Sequence, residues 1–343
     1  MAERLSIGID IGGTRVKAGV VDLDGHVLER VSRDTPTTSP AAVLDAIGDI
    51  VAKLRQNHHV TTLGIGAAGF VDATQSTVLF SPHLAWRHEP LRDAVQRRTR
   101  LSVLVDNDAN AAAWAEWRFG AAQNEEAMIC LTLGTGIGGS LVIDGRPHRG
   151  RFGIAGEFGH MIVVPGGRAC ECGNHGCLEQ YASGNALIRD ARAAVERGED
   201  YGKRLLERVD GDLEQVNGLV VCGLAREGDE DAIRSLDEVG SWLGIGIANL
   251  AAAFDPGLFV VGGGVSDADG LLLEPAREAF RRTLTGRGFR PEALIVRAHL
   301  GNDAGMIGAA DMARTMRRRS RRNRRRRPRT EGGALGRLSG RRA

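Results

Sequence analysis

Nothing at the start of this 343-residue chain has the build of an export signal: LSIGIDIGG enters a strand pattern at once, without a basic segment, an apolar stretch and a small-residue cleavage site. A reducing, cytoplasmic setting is the expectation, and there clustered cysteines favour a metal over a disulfide. An apolar run of membrane-spanning length is also missing. The most apolar stretch, Trp242 to Val265, is interrupted by Asp255 and Pro256 and reads as a buried helix followed by a buried strand. No Lys-Ser or Lys-Thr follows any glycine loop, which excludes a P-loop, and a strand rather than a helix follows the first two loops, which excludes a dinucleotide fingerprint. Cysteines number only five, so where they stand matters.

Three of them, Cys170, Cys172 and Cys177, fall within EFGHMIVVPGGRACECGNHGCLE, Glu157 to Glu179, while Cys130 and Cys222 sit singly in apolar, strand-like runs. Three thiolates with His160 make a closed tetrahedral zinc site. A disulfide is the first alternative, but Cys170 and Cys172 are too near in sequence to bridge easily, and an odd number leaves one thiol over. Inert core cysteines are the second, but Pro165, Gly166, Gly167, Gly173 and Gly176 make the stretch a loop.

With 47 glycines and 42% hydrophobic residues, the chain has the composition of a soluble α/β protein rich in tight turns, long enough for two domains. The formal charge of +2 conceals an asymmetry. From Arg314 onward, fourteen arginines against one glutamate give a tail of +13, leaving residues 1–313 at −11. The tail lacks aromatics and periodicity, so residues 317–343 are expected to be disordered. Contact with nucleic acid or another polyanion is one role for them and a solvated extension without a partner is the other.

Residues 5 to 32 read as a β-meander, followed by a helix over Ala41 to Gln56 and a strand in LGIGAAGFVD. A short helix from Pro90 to Arg98, the buried strand LSVLVDND and an alanine-rich helix, Ala109 to Phe119, close a first α/β unit near residue 120. The opening grammar then returns: MICLTLGTGIGGSLVIDGRPHRG repeats the strand, glycine turn and strand of IGIDIGGTRVKAGVVDLDGHV. Two such units imply duplicated lobes across a cleft, 1–120 with 302–316 and 121–301, the chain crossing back near residue 302.

Asp10, Gly12, Gly13 and Thr14 form one glycine turn, Leu133 to Gly139 a second, and Gly262 to Gly264 a third. Without Cβ atoms, backbone N–H groups at such turns can approach phosphate oxygens; an ordinary hairpin or bulge is the alternative at each. Two strand–turn–strand loops of this kind match the phosphate grip of an actin-like or sugar-kinase ATPase.

DIGGT, LGTGIGG, the E-x-G-H of Glu157 to His160 and C-x-C-G-x-x-G-C-x-E from Cys170 to Glu179 together resemble the ROK family of bacterial sugar kinases and repressors, over about residues 5 to 316. The resemblance implies an α/β, actin-like ATPase (ribonuclease H-like) fold of two lobes. It implies ATP and Mg2+ as cofactors beside structural Zn2+, and transfer of phosphate from ATP to the 6-hydroxyl of D-glucose. N-acetylglucosamine, N-acetylmannosamine or fructose are the alternative sugars, polyphosphate the less favoured donor, and a silent sugar sensor the alternative function. A homodimer or homotetramer is implied as well. A repressor of this family carries a DNA-binding helix-turn-helix ahead of the first glycine loop, and seven residues before Gly8 leave no room for one.

Carried over by position, the ATP phosphates fall to Asp10, Gly12, Gly13, Thr14 and Arg15 and to Gly134, Thr135, Gly136, Gly138 and Gly139, with Asp10 near the metal. Gly262, Gly263 and Gly264 would flank the adenosine. The sugar would meet Asn107, Asp108, Glu157, His160 and Glu179, and the zinc His160, Cys170, Cys172 and Cys177. Arg15 stands where the family usually has Lys, and His83 where Asn is common. Asp108 follows a buried strand and precedes a helix, the placement of a carboxylate at the mouth of an α/β unit, and it is the candidate catalytic base; capping the helix is its alternative role. No Arg or Lys stands among the sugar-side residues, which suits a neutral polyol. Asp106 reads as structural, and Asp72 as either.

Overall fold

The computed structural model describes residues 5–82 and 84–326, so the expectation for His83 lies outside the described residues. Strands β1 (Ser6–Ile11), β2 (Arg15–Val21) and β3 (Val27–Asp34) form the antiparallel meander. Helix α1 (Pro40–Leu54) starts where Ser39 accepts a hydrogen bond from Ala42 N and proline occupies the first turn. Strand β4 (Thr62–Ala67) runs parallel to β1. The single strand expected from LGIGAAGFVD divides at Gly69, φ +148°, and resumes as β5 (Phe70–Val71), which joins β6 (Val78–Phe80) and β7 (Arg87–Glu89) in a small separate sheet. Helix α2 (Leu91–Thr99), strand β8 (Ser102–Asn107) and helix α3 (Asp108–Phe119) complete the half, whose main sheet has the order β3-β2-β1-β4-β8.

The second half repeats this plan. Strands β9 (Ala127–Leu133), β10 (Ile137–Ile143) and β11 (Arg146–Pro147) are an antiparallel meander. Helices α4 (Glu179–Ala182), α5 (Gly184–Glu196), α6 (Asp200–Glu207), α7 (Gly218–Arg226) and α8 (Glu230–Phe254) intervene before β12 (Leu258–Gly262). Helix α9 (Gly270–Thr283) then leads to β13 (Leu294–Arg297), and the sheet order is β11-β10-β9-β12-β13, with β9, β12 and β13 parallel. Cys130 lies on β9 as expected. Cys222 does not lie on a strand: Asn217 accepts hydrogen bonds from Leu219 N and Val220 N, and this cap starts α7 beneath it.

Helix α10 (Ala304–Arg326) brings the chain back to the first sheet. Gly8 and Gly64 make that docking possible, because a Cβ on either would overlap the backbone of Met306 or Ala309. The helix does not stop at Met316. It continues through residue 326, since arginine is a good helix former and a helix already nucleated on the sheet propagates cheaply, and the expectation for residues 327–343 lies outside the described residues.

Candidate active site

Strand β8 ends at Asn107, whose extended backbone and Oδ1, accepting from Asn110 N at 3.1 Å, make it the N-cap of α3. The cap is therefore Asn107 and not Asp108. The Asn107 amide also donates to Gly69 O at 3.1 Å, which fixes the corner to the start of β5. Asp108 occupies the first turn of α3 and accepts from Ala109 N at 2.9 Å. Its charge is felt in both directions, by Asp10 on β1 and by Glu157 from the second half.

Asp10 stands opposite Lys17 in the β1–β2 register and under Gly305, where a Cβ would come 2.9 Å from its carboxyl carbon. Burial, then the Asp108 charge, push its pKa up to about 7, with Lys17 pulling the other way. The turn beyond it is closed by Gly12 N donating to Arg15 O at 3.0 Å and Thr35 Oγ1 donating to Gly12 O at 2.8 Å. Gly13 and Thr14 lie at its open side, whereas the Arg15 side chain is engaged with Ser32 and Asp34 on β3.

The other two glycine segments meet each other. Gly134 N donates to Gly136 O at 3.0 Å, and the N-terminus of α5 holds the turn through Gly184 N to Gly134 O and Asn185 N to Thr135 O. Gly263, φ +88°, is pressed against the Leu133 backbone, with Gly262 beside Ala298. Gly134 and Gly264 have nothing within 4 Å of where a Cβ would stand, so both open onto free space. Gly138 and Gly139 differ: they lie within β10, and their missing side chains admit Thr132 and Ala109 on one side and Gly156 and Phe158 on the other. They bring α3 and the Glu157 segment close to the cleft and leave the open turn to Gly134 and Thr135.

The wall formed by Glu157 to Glu179 begins with a short 3-10 turn, Phe158–His160, seated on β10 at Gly159, where a Cβ would meet Ile137. Burial first, then the charges of Asp108 and Glu179, raise the Glu157 pKa to about 7. His160 looks two ways: Nε2 is 3.9 Å from Glu157 Oε2, and Nδ1 is 3.7 Å from Cys170 Sγ and 3.5 Å from Glu179 Oε1. Glu179 Oε2 also accepts from Ile137 N at 3.4 Å, tying the end of the loop to the second glycine turn.

The donor atoms of His160, Cys170, Cys172 and Cys177 all lie within 4.8 Å of one another, with Cys172 and Cys177 sulfurs 3.6 Å apart. Zinc–sulfur bonds of about 2.3 Å imply tetrahedron edges of roughly 3.8 Å, so the set fits a closed four-coordinate metal site. Left-handed backbone at Gly166, Gly173 and Gly176 folds the loop around it, and Cys170 N donates to Asn174 O at 2.9 Å across the knuckle.

Sequence reasoning passed over Lys17, whose Nζ donates to Asn302 O at 3.4 Å beside Asp10. The register of a tight β1–β2 hairpin, which sets Lys17 directly opposite Asp10, was the signal available for it. Asp106 is buried and accepts hydrogen bonds from Gln75 and Asn110, and Asp72 organises its own turn by accepting from Ser76 N and Thr77 N.

The glucokinase of Streptomyces coelicolor is 47% identical over 310 residues, covering 90% of this chain and 98% of that one. The glucokinase of Thermotoga maritima is 35% identical over 310 residues, 90% of this chain and 96% of its own. A solved ROK family glucokinase from Streptomyces griseus, in complex with glucose and AMPPNP, superposes with a TM-score of 0.85 at 50% identity, covering 91% of this chain and 99% of that chain. The duplicated sheets are thus those of an actin-like ATPase of the sugar-kinase type. A model of the ROK family matches residues 6–316, every glycine turn and the whole cysteine loop included, and the chain belongs to the ROK family.

Proposed function

We propose that the chain transfers the γ-phosphoryl group of ATP to the 6-hydroxyl of D-glucose, with Asp108 as general base. One observation carries the reading: Asp108 stands where its charge acts at once on Asp10, beside the first glycine turn, and on Glu157, in the wall opposite. Phosphoryl transfer to an alcohol needs a positioned hydroxyl, an acceptor for its proton and donors around the moving phosphoryl group. Those needs converge at this point. The relatives named glucokinase, and the glucose and AMPPNP bound by the S. griseus protein, support the same substrates here.

In this reading the sugar lies against Asn107, Glu157, His160 and Glu179, with its 6-hydroxyl at Asp108. The hydroxyl oxygen bonds to the γ-phosphorus as the bond to the β–γ bridging oxygen breaks, ADP leaves, and the hydroxyl proton passes to Asp108. Gly12 to Thr14 and Gly134 to Thr135 cradle the phosphates, and Gly262 to Gly264 flank the adenosine. Mg2+ held near Asp10 would supply neutralisation of the charge on the phosphates. Zinc would be held by His160, Cys170, Cys172 and Cys177, and with Nδ1 on the cysteine side it would orient the ring so that Nε2 faces Glu157. Four protein ligands would leave such a metal no open position, so it would supply rigidity, holding His160 and the neighbouring Glu179 in place.

ADP release by the purified protein, screened over hexoses and N-acetylhexosamines with ATP and with polyphosphate, tests this. Turnover is expected to be fastest with ATP and glucose. No turnover with any sugar would refute it.

A further inference from the structure

One buried ion pair joins the two halves of the cleft, and the chemistry proposed above makes no use of it. Arg149 follows β11 on the stretch that leads to Glu157; its Nε donates to Asp106 Oδ2 at 2.8 Å, and its Nη2 reaches the same oxygen. Asp106 lies on β8, 2% exposed, directly before Asn107 and Asp108. Its carboxylate is fully engaged. Oδ2 also accepts from Gln75 Nε2 at 2.7 Å, and Oδ1 accepts from Asn107 N at 2.9 Å and Asn110 Nδ2 at 3.0 Å. Asn110 Oδ1 accepts from Ser140 Oγ on β10 at 2.7 Å. The network therefore crosses between the two sheets twice, through Arg149 and through Ser140.

Two features show that the surroundings are shaped to hold it. Gln75 keeps φ at +56°, a left-handed backbone unfavourable for a residue with a side chain, and it is pinned there by its own N–H to Asp72 O at 2.9 Å and by the Asp72 carboxylate on Ser76 and Thr77. That conformation accompanies its carboxamide on Asp106. Separately, the loop bearing Arg149 is closed by Ala155 N donating to Arg149 O at 3.1 Å. It presses Gly153, φ +93°, onto the backbone of Val71 to Ala73, one turn from Gln75. The next residues are Gly156 and Glu157.

We infer that Arg149 and Asp106 are a pair of positioning residues that set the separation between Asp108 and Glu157, and so the pose of the sugar hydroxyl against its base. Asp106 fixes the strand-to-helix corner from below by holding the Asn107 N–H, while Arg149 fixes the segment entering Glu157. The pair acts on the reaction through those neighbours. The inference rests on the proposed function for the identity of the sugar, and on the network itself for everything else.

A mutant cycle in the full-length chain tests it, with Arg149→Met, Asp106→Asn and the double variant, beside Arg149→Lys and Gln75→Ala. Displacement of the reacting groups by about 1 Å is expected to lower kcat about 100-fold in each single variant of the pair, with KM for ATP held within about twofold. The double variant should lose no more than either single, and Arg149→Lys should recover part of the loss. Multiplying losses, or a lowered melting temperature with parental kcat in the folded protein, would overturn the inference. If Arg149→Met does not fold, Arg149→Lys and Gln75→Ala must still lower kcat, and parental kcat in both overturns it equally. The same cycle read as glucose affinity by calorimetry separates this inference from the proposed function. A parent protein that binds glucose without turning it over would defeat the proposed function alone, and coupling between Arg149 and Asp106 would still be required in the affinity.

Discussion

Asp10 is paired with Lys17 across β1 and β2, yet its carboxyl holds its proton to about pH 7, because burial and the Asp108 charge outweigh the lysine. The unfolded chain gives up that proton near the ordinary 3.8. Between these values the folded state binds more protons at Asp10, so the stability that Asp10 contributes is complete below about pH 4, is lost as pH rises, and is gone above about pH 7. At roughly 1.4 kcal/mol per pH unit the loss is at most about 4 kcal/mol. Asp10→Asn should remove the Asp10 share of this slope and leave that of Glu157, whose pKa is also raised to about 7. Urea melts of both proteins from pH 4 to 8 measure it, and parallel curves would refute the assignment.

Asp108→Asn removes the proton acceptor and keeps the shape. A fall in kcat of about 10²–10⁴-fold is expected, with glucose affinity changed by only a few-fold. The same substitution takes a negative charge away from Asp10 and Glu157, so both pKa values should move down toward ordinary carboxylates. Carbon NMR of the two carboxyls checks this independently of turnover.

One metal ion per chain is expected from elemental analysis of purified protein, held by His160, Cys170, Cys172 and Cys177. Its removal by a chelator should lower the melting temperature and weaken glucose binding together, since in the proposed reading the metal would brace His160 and Glu179. Parental glucose KM in folded, metal-free protein would contradict this role.

Gly64→Ala puts a methyl group into the backbone of Ala309. Helix α10 must lift from β4, at a cost of about 1–3 kcal/mol or more, readable in thermal melts. Gly134→Ala, which opens onto free space, should leave stability near the parent and instead weaken ATP binding.

Much of this was legible in the sequence because local signals and tertiary demands agreed. The repeated strand–glycine turn–strand grammar became two sheets of identical order, and the spacing of Cys170, Cys172 and Cys177 brought three sulfurs and a histidine together. What escaped was nonlocal. Lys17 looks like any strand residue until the register sets it against Asp10, and Arg149 like any loop residue until the second half folds over Asp106. Glycines read alike in sequence also part company: Gly134 opens a turn, while Gly138 and Gly139 admit neighbouring protein.

Phosphorus NMR of a reaction containing the purified chain, D-glucose, ATP and Mg2+ tests the central claim most directly. Stoichiometric appearance of ADP and glucose 6-phosphate, lost in Asp108→Asn, is the predicted result. ATP left intact beside glucose, or phosphate delivered to water or to another hydroxyl, would contradict it.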